Sequence, residues 1–154
     1  MELTQQMKDV IEKSVLCWLA SSSMDHEPNV SPKEIFCHYQ NENILVANIA
    51  SPGTVKNIKA NSKVCISVLD IFVQKGFQFH GNAEIIDKDD EVFERQKEPL
   101  YRLAGERFPF STLTNIRVER AKEILAPSYL LYPDSTSEEE QIESAKQRYL
   151  YFDA

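Results

Sequence analysis

Two short runs of this 154-residue chain carry residue types able to hold an anion. The first is Ser51-Pro52-Gly53-Thr54-Val55-Lys56-Asn57, where Pro52-Gly53 ends an apolar run and a short helix is predicted over 54–61. The first N–H groups of a helix have no internal partner and carry partial positive charge, so a phosphate placed there is stabilised. Thr54 adds a hydroxyl, Lys56 a charge and Asn57 an amide. Taken alone, the same residues are an ordinary capping pattern, which is the commoner meaning of Ser/Thr plus Gly before a helix. The second run is Ser31-Pro32-Lys33. A lysine in an otherwise apolar context can reach a phosphate or a ring carbonyl, but in isolation it reads as an exposed edge lysine that blocks aggregation.

Other chemistry is poorly represented. His26, His38 and His80 stand in three separate segments without ligand spacing, and Cys37-His38 cannot place both side chains on one strand face, so no metal site is expected. Cys17, Cys37 and Cys65 are an odd number, far apart and free of Cys-x-x-Cys, which predicts buried free thiols. No serine or cysteine has a neighbouring base, so no catalytic nucleophile is assigned and any reactive group is expected to come from a cofactor. Phe108-Pro109-Phe110 reads first as a packing plug, although a planar ring ligand needs apolar cover of this kind.

The elements that must position these residues are short strands between a few helices. Leu3, Met7, Val10 and Ile11 fall at helical spacing and predict an amphipathic opening helix over 3–13. Strands are predicted at 15–20, at 28–39, at 44–47, from 64, at 76–86 and at 113–125. Pro32 argues that the second of them is an edge or carries a bulge, and Gly81 that the fifth bends. Helices are predicted within 89–103, despite Pro99, and from Ser137 to about Arg148, where a hydroxyl cap precedes three acids. Hairpin-length connections exclude a parallel sheet, and the absence of Gly-x-Gly-x-x-Gly excludes a dinucleotide fold. The fold class is therefore mainly β, a six-stranded meander or Greek-key barrel with peripheral helices.

At 42% hydrophobic and 27% charged, with no linker or repeat, the chain is expected to form one domain over 1–154. A net charge of −7 disfavours general nucleic-acid binding, though local donors can still hold one phosphate because the Debye length is only about 8 Å. The N-terminus lacks a signal-peptide pattern and no apolar run approaches the roughly 20 residues of a membrane span, so a cytoplasmic protein with no membrane partner is expected.

Taken in order, several segments resemble one family. Val15-Leu16-Cys17-Trp18-Leu19-Ala20-Ser21 with Glu27-Pro28-Asn29-Val30-Ser31-Pro32 resembles the opening hairpin of the pyridoxamine 5′-phosphate oxidase-like FMN-binding split barrels. The run from Asn48 to Val64 is similar to their phosphate-binding strand-to-helix segment, and Gly76-Phe77-Gln78-Phe79-His80-Gly81-Asn82-Ala83 to their long barrel strand. Arg107-Phe108-Pro109-Phe110 and Ala126-Pro127-Ser128-Tyr129 are similar to features of the small flavin-binding members.

The resemblance implies a homodimeric six-stranded split barrel with one FMN (flavin mononucleotide) per subunit, in clefts that use both chains. It assigns Ser31 and Lys33 to the flavin or its ribityl chain, and Ala47, Asn48 and Ile49 to the ring. Thr54, Lys56 and Asn57 take the phosphate, and Phe108 and Phe110 come from the partner subunit to cover the ring. The chain lacks the arginine- and histidine-bearing C-terminal segment of true pyridoxamine phosphate oxidases, having instead an extension over 126–154 with a helix, so vitamin B6 oxidation is not expected. The resemblance leaves three functions open: an oxidoreductase using a nicotinamide-type electron donor and a small acceptor, a non-catalytic flavin carrier or electron-transfer module, and a haem- or deazaflavin-binding relative.

Overall fold

The computed structural model describes residues 1–150; the last four residues of the expected C-terminal extension lie outside the described residues. The strands are β1 (Cys17–Ser22), β2 (Pro28–Lys33), β3 (Phe36–Tyr39), β4 (Asn43–Ala47), β5 (Lys63–Asp70), β6 (Lys75–Asp87) and β7 (Thr112–Leu125). The helices are α1 (Gln5–Lys13), α2 (Pro52–Ala60), α3 (Phe93–Ala104), α4 (Pro127–Leu131) and α5 (Glu138–Tyr149). All strands join one antiparallel sheet in the order β2-β1-β5-β6-β7-β4-β3.

That order has a geometric consequence. The two edge strands, β2 and β3, are consecutive in sequence and separated only by Glu34 and Ile35. A link of that length spans at most about 10 Å, so the sheet has to curl until its edges approach each other. The result is a curled antiparallel half-barrel with peripheral helices.

Its inner face is lined by alternating side chains: Cys17 and Leu19 from β1, Val64, Ile66 and Val68 from β5, Phe77 and Phe79 from β6, all buried. The amphipathic α1, capped by the Thr4 hydroxyl, which accepts from the Met7 N–H, closes one side through Ile11, with Leu3 just ahead of the cap buried beside it. A second cluster of Leu45, Ala47, Ile86 and Leu113 is covered by Phe93 and Leu100 of α3.

Three expectations need correction. The run 28–39 is two strands, because it pairs first with β1 and then, beyond Glu34-Ile35, with β4; the sheet therefore has seven strands and not six. The first strand starts at Cys17 and not at Val15, which is 84% exposed. The chain after 126 also forms the short α4 before α5, which the sequence pattern did not announce. Pro32 lies on an edge strand as expected, and α5 has the anticipated cap, a full capping box between Ser137 and Glu140.

The Gly81 bend is a bulge in which Glu119 is the extra residue: His80 pairs with Arg120 but Gly81 with Val118. A Cβ on Gly81 would lie 2.2 Å from the Arg117 carbonyl oxygen, whereas one on Gly53 in α2 meets nothing within 4 Å. Gly81→Ala should therefore destabilise the protein by about 1–3 kcal/mol through overpacking, while Gly53→Ala should stabilise it by about 0.5–1 kcal/mol through helix propensity. Urea unfolding of the two variants beside the parent checks both signs.

Candidate functional site

The site forms where the last residue of an edge strand meets the first turn of a helix. On β2 the side chains of Asn29, Ser31 and Lys33 alternate onto the inner side, with Lys33 paired in register with Cys17 of β1. At the other end of the sheet β4 runs through Ala47, and the chain then turns through Ala50, a non-glycine residue at φ 52°. That conformation costs roughly 1–2 kcal/mol, and it directs Pro52 into the first turn of α2.

Lys33 is the least ordinary residue here. It is only 5% exposed, so the sequence reading of an exposed edge lysine is overturned. Its ammonium donates to the Ser51 hydroxyl at the start of α2, and that hydroxyl in turn donates to the Ile49 carbonyl at 3.1 Å. Among the described residues no carboxylate lies within ion-pair distance of it. Burial pulls its pKa below the ordinary 10.5, and burial likewise pushes the neighbouring Cys17 thiol up to about 12, against the pull of the Lys33 charge, so the thiol stays protonated.

Two depressions adjoin this contact. An open groove of about 540 Å³ runs along the start of α2, walled by Asn48, Ala50, Ser51, Pro52, Lys56 and Lys59. A smaller pocket of about 190 Å³ is lined by Leu16, Lys33, Ile35, Ala47, Ile49 and Phe108, with the exposed Glu34 at its rim. Ser51 belongs to the groove and Lys33 to the pocket, so their hydrogen bond sits between a cationic, helix-capped end and an apolar, aromatic end.

The predicted residues divide. Lys33, Ala47, Ile49 and Phe108 share the pocket, and Asn48 and Lys56 face the groove. Phe108 stands 43% exposed in the pocket of its own chain, and Phe110 packs on the α3 cluster. Asn48 is held by β7: its amide donates to the Thr112 hydroxyl at 3.2 Å and its oxygen accepts from the Thr114 hydroxyl at 2.9 Å. Thr54 and Asn57 face the β1–β2 hairpin instead of the groove. Thr54 is 2% exposed and accepts from the Asn29 amide at 3.3 Å; Asn57 donates to the Ser21 hydroxyl at 3.3 Å. Ser31 shares the inner side of β2 with Lys33.

Sequence reasoning missed Lys59, Leu16 and Ile35. Lys59 was legible, since it follows Lys56 by three residues and so shares its helix face. Leu16 and Ile35 carry no local signal, because their place depends on closure of the barrel.

A separate constellation lies on the outer face. His80 Nε2 is 3.8 Å from Cys65 Sγ, and Arg120 Nη2 is 3.3 Å from His80 Nδ1. Donation by the guanidinium to Nδ1 assigns the imidazole proton to Nε2, the nitrogen facing the thiol, so this histidine is not placed to deprotonate Cys65. Burial also raises the Cys65 pKa, against the pull of Arg120.

The curled antiparallel half-barrel thus sets a lysine-lined groove at a helix start beside a largely apolar pocket. The sequence matches the family model described as pyridoxamine 5′-phosphate oxidase over residues 3–126, and the chain belongs to that family. Among solved structures, HupZ of Group A Streptococcus is 28% identical, covering 77% of this chain and 91% of its own, with a TM-score of 0.67. The heme storage protein HutZ of Vibrio cholerae (20% identity, 80% of this chain, 96% of that one, TM-score 0.65) shares the fold. So does an FMN-binding protein of Syntrophomonas wolfei (17% identity, 77% of this chain, 88% of that one, TM-score 0.60). No curated protein matches the chain.

The depressed Lys33 pKa has a consequence for stability. Between the folded-state pKa and 10.5 the unfolded chain holds a proton that the folded chain has released, so stability rises with pH across that window. Lys33→Met, which keeps length and removes the buried charge, should be more resistant to urea than the parent at pH 7 without ligand, and the gap should narrow by pH 10. Urea midpoints of both proteins at the two pH values test this; a gap that widens with pH would contradict it.

Proposed function

We propose that this chain, acting as a single domain over 1–154, binds one FMN per subunit in a homodimer and uses it as an oxidoreductase. The observation that carries the reading is the junction at Lys33–Ser51, which joins a cationic groove at a helix start to an apolar pocket with an aromatic wall. A phosphorylated planar cofactor needs both ends, separated by the length of a polar chain.

The phosphate end would be held by the first N–H groups of α2 with Lys56 and Lys59, and the ring by Ala47, Ile49 and Phe108. Asn48, fixed at both amide atoms by β7, lies between them. Thr54 and Asn57 serve by clamping α2 to the hairpin, so that its N-terminus keeps its aim. FMN supplies hydride and electron exchange; the chain's residues bind, orient and shield it. By family resemblance, Phe108 and Phe110 of a second copy complete the cover. Net charge −7 does not oppose this, because the attraction is local and other charges are screened within about 8 Å.

A haem-binding reading is supported by the likeness to the fold of HutZ. The described residues offer no histidine in either depression, which favours flavin.

The ligand that co-purifies decides the cofactor: a flavin absorbance spectrum and the mass of FMN are expected, and a haem spectrum would overturn the assignment. Bleaching of bound flavin by NADH or NADPH without air tests the oxidoreductase reading, and no bleaching by either would leave a flavin carrier. Lys56→Ala should weaken FMN about tenfold, or about 1.4 kcal/mol, and leave riboflavin, which lacks the phosphate, unchanged. Equal loss for both ligands in a calorimetric titration would remove Lys56 from the phosphate site.

A further inference from the structure

We propose that Lys33 makes the cleft hold the reduced, anionic form of a bound flavin ring more tightly than the neutral oxidised form. The inference rests on the flavin reading of the cleft.

Lys33 is a buried amine in the wall of the pocket, 5% exposed and without a carboxylate partner among the described residues. Its hydrogen-bond partner is the neutral Ser51 hydroxyl, whose own proton is turned toward the Ile49 carbonyl, so the hydroxyl oxygen is the atom presented to the ammonium. A buried cation served only by a hydroxyl is under-compensated, and it is favoured by any negative charge brought close in the same low-dielectric pocket.

An oxidised isoalloxazine ring is neutral. A hydride donor, such as a nicotinamide nucleotide, gives it two electrons and one proton and is itself oxidised. The ring then carries one negative charge, spread over N1 and the C2 carbonyl, and no second proton is required. The Lys33 ammonium gains an ionic partner in that state and none in the oxidised one, so it binds the two states differently. Glu34 is the other charged residue of the pocket lining, but it is exposed to solvent and makes no ion pair with Lys33; Leu16, Pro32, Ile35, Ala47, Ile49 and Phe108 carry no charge. Differential affinity for two redox states is a change in midpoint potential: tenfold tighter holding of the reduced form raises a two-electron potential by about 30 mV.

The test uses the FMN-loaded protein, titrated against reference dyes without air, as the parent, Lys33→Met and Lys33→Arg. Titrated with FMN in excess so that any loss of affinity for the oxidised form is read separately, Lys33→Met should lose at least tenfold of the preference, a fall of about 30 mV or more; Lys33→Arg should stay near the parent. If the methionine variant does not retain flavin, Lys33→Gln, which keeps a donor without the charge, is held to the same criterion. An unchanged potential in the neutral variants overturns the proposal while leaving the flavin reading intact. Failure of the parent to bind FMN at all sinks the reading beneath it, so the two failures are distinguishable.

Discussion

Everything about this site follows from a two-residue link. Glu34 and Ile35 are all that separate the strands at opposite ends of a seven-stranded sheet, so the chain can be satisfied only by curling that sheet until its edges come together. The closure carries Lys33, at the end of one edge strand, to Ala47 and Ile49, at the end of the strand beside the other edge. It also sets Lys33 against Ser51, where the first turn of α2 begins. Without the curl these groups would stand several strands apart.

The second requirement is that α2 keep its direction, because a helix N-terminus attracts an anion only within its first turn. Two devices meet it. Ala50 takes a left-handed conformation, which reverses the chain between β4 and the helix. A polar clamp of Asn29, Ser21, Thr54, Asn57, Ser22 and Asn61 then ties the inner side of the helix to the β1–β2 hairpin. Each contact is modest alone, on the order of 1 kcal/mol. Together they fix which helix face is left for Lys56 and Lys59 to present to the groove.

Most of the fold was legible because strands announce themselves by period and punctuation. Val64, Ile66 and Val68 alternate as a strand must, Pro32 marked an edge or a bulge and lies on an edge, Gly81 marked a bend and sits at a bulge, and Ser137 marked a helix cap. What could not be read was anything set by closure. Residues 28–39 look like one extended run, and only the exchange of pairing partner from β1 to β4 divides them. The same limit explains the site. Lys33 has the local signature of an exposed edge lysine, and its burial is imposed by a helix start that follows it by almost twenty residues. Thr54 and Asn57 have the type of phosphate ligands, but the helical period sets them on the face opposite Lys56, where the hairpin claims them.

That Lys33 is buried without a carboxylate partner among the described residues is best understood as a local conflict tolerated for a purpose. A fold selected for stability alone would place methionine or leucine in this wall, since burying an ammonium against a hydroxyl costs free energy that no contact in the ligand-free chain returns. Sequences that specify one structure break such local rules mainly at functional sites. An anion bound in the cleft would relieve the conflict, and the energy withheld from folding would then appear as affinity. On the proposed flavin reading the lysine and the adjoining groove would be two parts of one device: the groove would recognise the fixed charge of a phosphate, and the lysine would answer a charge that the ligand acquires only in one of its states.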